Sequence, residues 1–136
     1  MRITQKWISW APQLRGLLRI TTAFMMLQAG TMKLFAWPMG MPPDNGTAEL
    51  WSQIGIGGLL EFVGGVFMLI GLFTRPTAFI LSGMMAVAYF QFHSTADALW
   101  PMENGGVTAV VYCFLYLYFS AVGPGSWSID ALRGKA

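Results

Sequence analysis

Apolar and polar positions alternate along the chain in a way that marks out four long apolar segments. The clearest runs from Gly55 to Pro76 and carries one charge, Glu61, before the closing Thr74-Arg75-Pro76. At a rise of about 1.5 Å per residue, some twenty such residues match a bilayer core of roughly 30 Å. The pattern predicts helical spans over about 14–35, 54–73, 77–93 and 105–122. The first break, residues 36–53, holds Pro38, Pro42, Pro43 and Asp44-Asn45-Gly46, which exclude a regular helix. Residues 94–104 form a second long loop, whereas Arg75-Pro76 makes a tight turn with Pro76 suited to a first helical turn. The expected fold is an all-α membrane protein, a single four-transmembrane-helix bundle over residues 1–136.

The polar positions inside these spans carry the chemistry. An ionised carboxylate at Glu61, near the middle of the second span, costs at least ~2.5 kcal/mol in hydrocarbon, so a neighbouring helix has to supply a partner. Gly57, Gly64, Gly65 and Gly71 strip side chains from the same span and predict close helix packing. On the first span Arg19, Thr22, Met26, Gly30 and Lys33 fall on one stripe at helical spacing. Counted by depth, Glu61 lies about six residues, or roughly 9 Å, from the levels of both Arg19 and Lys33. Arg19, Lys33 and Glu61 are therefore expected to form one buried polar network, with either base as the counter-ion.

Lys33, His93, Glu103 and Asn104 fall near the outer surface and, with Glu61, form the candidate ligand-binding set. Two readings stand side by side. Glu61 either pairs to fix helix register or serves a proton-linked or ligand-binding site open to the outer face. His93 either caps the end of the third span or donates a proton to a ligand. No residue is marked as catalytic.

Composition narrows the setting. Hydrophobic residues make up 55% and charged residues 10%, with a mean hydropathy of +0.54. Ordinary soluble domains carry about 25% charged residues, so lipid is the expected solvent. A net charge of +2 without a basic run argues against nucleic acid. The single cysteine, Cys113, allows no internal disulfide or thiolate cage, and one histidine among scattered carboxylates suggests no metal. Residues 1–13 mix Arg2 and Lys6 with Trp7 and Trp10, which suits a short interfacial segment or a frayed tail. No cleavable signal pattern is present there. Arg2, Lys6, Arg15, Arg75, Arg133 and Lys135 all lie on one side of the predicted spans, and the two long loops hold no Lys or Arg. That asymmetry predicts both termini in the cytoplasm.

Several pieces of the chain, taken in order, resemble the DoxX family of small four-helix bacterial membrane proteins. They are Leu17-Leu18-Arg19-Ile20 leading to Gly30 and Lys33-Leu34; Glu61-Phe62-Val63-Gly64-Gly65 leading to Gly71-Leu72-Phe73-Thr74-Arg75-Pro76; Ala86-Val87-Ala88-Tyr89-Phe90 with His93; Asn104-Gly105-Gly106; and Gly123-Pro124-Gly125-Ser126-Trp127-Ser128-Ile129-Asp130. The resemblance covers nearly the whole length and implies a location in the bacterial cytoplasmic (inner) membrane. One departure is visible. The family usually has a carboxylate just after the paired glycine of the fourth span, where this chain has Val107-Thr108. Glu103, four residues upstream, is the candidate replacement.

The resemblance implies an accessory role in membrane redox systems, with a related branch linked to thiosulfate oxidation with quinone and some members tied to thiol-handling complexes. Three functions are open. The first is an accessory subunit of a redox system that engages quinone, whose headgroup would sit among Lys33, His93 and Asn104 beneath Trp37, Trp51 and Trp100. The second is a non-catalytic scaffold docking partner helices on its glycine face and aromatic fourth span. The third is a small-solute or proton carrier around an Arg19–Glu61 pair, for which four spans need a homo-oligomer to give a pathway. With no CxxC, haem-ligand pair or dinucleotide motif, the chain has no intrinsic cofactor, and redox activity has to borrow a quinone or a partner protein.

Overall fold

The computed structural model describes residues 2–135, which are helical throughout apart from loops and two isolated bridges, Met41 with Gly46 and Thr95 with Ala98. The helices are α1 (Arg2–Ile8), α2 (Ala11–Phe35), α3 (Gln53–Ile70), α4 (Thr74–Ala88), α5 (Pro101–Asn104), α6 (Val107–Val122) and α7 (Ile129–Leu132). A π-helical turn, Tyr89–His93, continues α4.

Local chemistry explains the boundaries. Pro12 stands in the first turn of α2, where its missing N–H costs nothing, so α2 begins three residues before the expected start. It stops at Ala36, which is left-handed (φ 52°) and donates back to the carbonyls of Thr31 and Met32. Ser52 caps α3 by accepting from the Gly55 N–H, and Gly71 (φ 68°) ends it. Helix α4 begins at Thr74, three residues earlier than expected, because the Asp130 carboxylate accepts from the backbone N–H groups of Phe73 and Thr74, both at 2.9 Å. Those donors would otherwise be orphaned at a helix start, and Asp130 is supplied from far along the chain.

Helices α2 and α3 pack antiparallel at close range. A Cβ on Gly30 would come within 2.6 Å of the Phe62 nitrogen, and one on Gly65 within 3.1 Å of Leu27. Gly64 meets Leu81 of α4 instead, and Gly71 lies against Ser128 and Arg19. Gly57 departs from expectation: nothing stands within 4 Å of where its Cβ would be. It is Gly58, one residue and about 100° further round the helix, that receives Lys33 of α2. Helix α4 runs against α6, where the Ser82 hydroxyl donates to the Cys113 carbonyl at 2.6 Å. Ala23, Met26, Met68, Leu81, Met85, Tyr116 and Phe119 fill the centre.

Arg19 governs one end of the molecule. It is fully buried, and all five of its N–H groups meet backbone carbonyls. Nε donates to Pro124 at 3.0 Å, Nη1 to Met68 and Leu69 at 3.1 and 3.3 Å, and Nη2 to Ser126 and Trp127 at 3.1 and 2.8 Å. Met68 and Leu69 lie in the last turn of α3, where a cation is favoured, and the Met68 carbonyl also accepts from the Gly71 N–H at 3.3 Å. After Gly123-Pro124-Gly125 the tail turns back beneath the helices, with Ser126 donating to Pro12 and Asp130 to Gly71. Arg15 ties the end of α6 to α2 through the Val122 carbonyl, and Tyr116 donates to the Thr22 carbonyl.

By length and apolarity α3 alone, among the described residues, suffices to cross a membrane, with a mean hydropathy of 1.8 over 18 residues. Helix α6 is apolar but has 16 residues, and bases interrupt α2. Large apolar side chains such as Phe24, Phe79, Ile80, Phe90 and Phe114 stand at least half exposed around the outside, beyond what a monomeric soluble surface tolerates.

The glycine geometry makes a paired prediction. Gly64→Leu drives a side chain into Leu81 and is expected to cost roughly 1–3 kcal/mol, with Leu81→Ala in the same chain restoring part of it. Gly57→Ala meets open space and is expected to leave the melting temperature in detergent unchanged or raised. Equal losses from Gly64→Leu and Gly57→Ala would contradict this packing.

Candidate functional site

Lys33 sits in the last turns of α2 and Glu61 in the third turn of α3. The two helices touch through Gly30 and Gly58, so the lysine stem lies on Gly58 and its ammonium reaches the carboxylate. Lys33 Nζ donates to Oε1 at 2.7 Å and to Oε2 at 2.8 Å. The Glu61 side chain is 6% exposed and that of Lys33 23%. An ammonium carries three donors and the carboxylate takes two, so one N–H is not engaged by it.

Two cavities flank this pair. One, of about 320 Å³, lies between α3 and α4 and is walled by Ile54, Gly57, Met84, Val87 and Phe92, with Met41 from the first loop. The other, of about 280 Å³, lies between α2 and α6, where Met26, Ala29, Thr108 and Tyr112 face it. Lys33, Glu61, Met85, Ala88 and His93 line both, so the ion pair stands in a partition between two mostly apolar chambers. The space at Gly57 belongs to the first chamber.

His93 ends the π-helical turn, half-buried, with Nδ1 at 3.3 Å from the Asn104 carbonyl. A π turn inserts a residue into the helical register and re-aims the side chains beyond it. Gln53 and Gln91 hydrogen-bond beside it and hold the start of α3 to this turn.

The expected site is divided. Arg19 does not join Lys33 and Glu61; its donors are spent on carbonyls at the other end of α2, fourteen residues or roughly 21 Å away. The depth count placed Glu61 midway between the two bases by assuming helix ends at a common level. Helix α2 has 25 residues and α3 has 18, and their contacts put Glu61 level with Lys33. Asn104 lines neither chamber. Its side chain donates to the Ala98 carbonyl at 3.1 Å and the Tyr89 hydroxyl at 3.3 Å, and accepts from Gly106 at 2.9 Å, which shapes the turn into α6. Glu103 is exposed on α5 and lines neither chamber. Trp37, Trp51 and Trp100 are exposed and likewise outside the chambers.

No motif in the sequence marks Met41, Met85 or Ala88 as site residues. The spacing Leu81, Met85, Ala88 on one face of α4 was the available signal for two of them. Met41 reaches the site through a loop fold that no periodicity marks.

Comparison with known proteins identifies the family. The DoxX family profile matches residues 14–94, more than half of the chain. A Haemophilus influenzae protein described as uncharacterised is 37% identical over 123 residues, covering 89% of this chain and 91% of its own. The inner membrane protein YqjF of Escherichia coli is 30% identical over 128 residues, covering 86% of this chain and 89% of its own. No solved structure matches. With α3 long and apolar enough to cross a bilayer and apolar side chains facing outward, these matches establish that the chain is a membrane protein and belongs to the DoxX family.

Proposed function

We propose that the protein is a multi-pass protein of the bacterial cytoplasmic membrane, with α2, α3, α4 plus its π turn, and α6 crossing the bilayer and both termini in the cytoplasm. The lopsided distribution of bases and the outward apolar side chains support this reading. A reporter fused after Lys135 is expected to be active only in the cytoplasm, and activity confined to the periplasmic side would reverse the orientation.

In this setting the Lys33–Glu61 pair is the polar floor of a headgroup site, and the protein acts as an accessory subunit of a membrane redox system through a bound quinone. The observation that carries the ligand reading is the pair itself, lining two apolar chambers with one lysine donor to spare. The first chamber lies at the lower end of the usual range for ligand sites, about 300–1,000 Å³. A paired ammonium and carboxylate have no net charge, which suits an uncharged carbonyl acceptor better than an ion. The residues fit a quinone carbonyl on Lys33, with His93 at hand as a second polar group and Phe92 and the methionines around the ring. A quinone there would supply two-electron carrying capacity; the redox association comes from the family resemblance, and electrons come from a partner protein.

The scaffold reading keeps one support, the exposed face of α6 with Val111, Phe114, Leu117 and Tyr118. Its glycine face is taken up inside the molecule by α2 and α4. The carrier reading loses its centre, because Arg19 and Glu61 are not partners.

Replacing both charges at once tests the ligand site without stranding either. Lys33→Met with Glu61→Met is expected to stay folded, since apolar replacement of a buried pair is often neutral or stabilising. Binding of a short-chain benzoquinone to the purified protein is expected to fall by about tenfold or more, the loss of one hydrogen bond to a charged donor. A folded double variant with undiminished binding would remove the pair from the site.

A further inference from the structure

We infer that the headgroup site extends into a seat for a single apolar chain, so that its ligand is a one-chain amphiphile entering sideways between α4 and α6. The inference rests on reading the Lys33–Glu61 pair as a headgroup site and adds the rest of the ligand and its route.

A third cavity, of about 230 Å³, lies between α4 and α6. Met85, Ala86, Phe90, Ala109, Val110 and Phe114 line it, and it presents no charged side chain. Met85 and Ala109 also line the chamber between α2 and α6 that contains Lys33, Glu61 and His93. A ligand on the pair therefore reaches this groove past one flexible thioether and one methyl group, and methionine adapts to such passage.

The register of the two helices explains the space. Ser82 meets Cys113 and Gly106 lies against Tyr89, so Met85 and Ala86 face Ala109 and Val110. The alanines leave the gap between otherwise contacting helices. The groove follows Met85 to Phe90 on one wall and Ala109 to Phe114 on the other, roughly 7 Å of helix. A volume of about 230 Å³ over that length takes a short run of methylenes or a single isoprenoid segment, not a two-chain phospholipid.

Its ends are unequal. On the loop side the Tyr89 ring lines the groove and is held in place, its hydroxyl donating to the Leu99 carbonyl at 2.8 Å and accepting from Asn104 at 3.3 Å. Toward the outside Phe90 and Phe114 are 71% and 65% exposed, so the chain leaves between two exposed rings into the surrounding lipid. The π-helical turn begins at Tyr89, whose held ring meets the exposed Phe90 ring edge to face, 5.3 Å between centroids.

The test compares one benzoquinone headgroup without a chain and the same headgroup with a decyl chain, on purified protein in detergent. Ala86→Phe with Val110→Trp fills the groove. It is expected to lower affinity for the decyl probe by about tenfold, the burial of a few methylenes, and to leave the chainless probe unchanged, which also shows that the variant is folded. Cys113, the only cysteine in the chain, lines the groove and gives a readout on the unaltered protein. Its alkylation by N-ethylmaleimide is expected to slow with the decyl probe and not with the chainless one. Binding of both probes with no effect of the filled groove and no protection of Cys113 overturns the chain seat and leaves the headgroup site standing. Binding of neither probe to the unaltered protein overturns both.

Discussion

A buried guanidinium bonded to backbone carbonyls holds this molecule together. Arg19 is fully buried, and its five donors meet five carbonyls from the end of α3 and from the tail. A planar fork of fixed donors suits this task, and a lysine point charge would leave carbonyls unmet. The clamp draws the C-terminal end of α3, the first turns of α2 and the returning tail to one point. Asp130, on that same tail, caps α4. One end of the helix packing is thereby closed, with Arg15 on Val122 and Tyr116 on Thr22 completing the seam between α2 and α6.

Closure at that end leaves the other free to open. Toward the long loops α2 and α6 part around one chamber and α3 and α4 around another. The Lys33–Glu61 pair occupies the partition. An ion pair at this depth says little about stability, because desolvation offsets most of the attraction. Its position says more about function. The pair has no net charge, is oriented by close glycine contacts and is reached from two apolar spaces, which supports the proposed site for an uncharged polar group. The two deep bases thus differ, Arg19 bonded to backbone carbonyls and Lys33 to a carboxylate.

Much of this could be read from residues and much could not. The need for a partner at Glu61 came from the cost of a lone carboxylate in hydrocarbon, and Lys33 was one of the two candidates. The choice between them depended on helix lengths and register, which apolar periodicity does not specify. The glycine stripe was legible as a packing device, yet adjacent glycines face different neighbours, and Gly57 turned toward a cavity while Gly58 received Lys33. The partners of Arg19 were invisible because they are backbone carbonyls, two in the last turn of α3 and three in the tail, 105 to 108 positions further along the chain. Asp130 was hidden for the same reason, and it moved the start of α4. Asn104 and Glu103 carried suitable chemistry at a suitable depth, but a turn consumed the first and α5 exposed the second.

The separation of the two bases is the central claim, and double-mutant cycles measure it directly. Unfolding free energies in detergent would be compared for Lys33→Met and Glu61→Met singly and together, and for Arg19→Met and Glu61→Met in the same way. The Lys33–Glu61 cycle is expected to show a coupling of roughly 1–3 kcal/mol, and the Arg19–Glu61 cycle to be additive within about 0.5 kcal/mol even though Arg19→Met alone is strongly destabilising. Coupling between Arg19 and Glu61, with additivity between Lys33 and Glu61, would contradict the account.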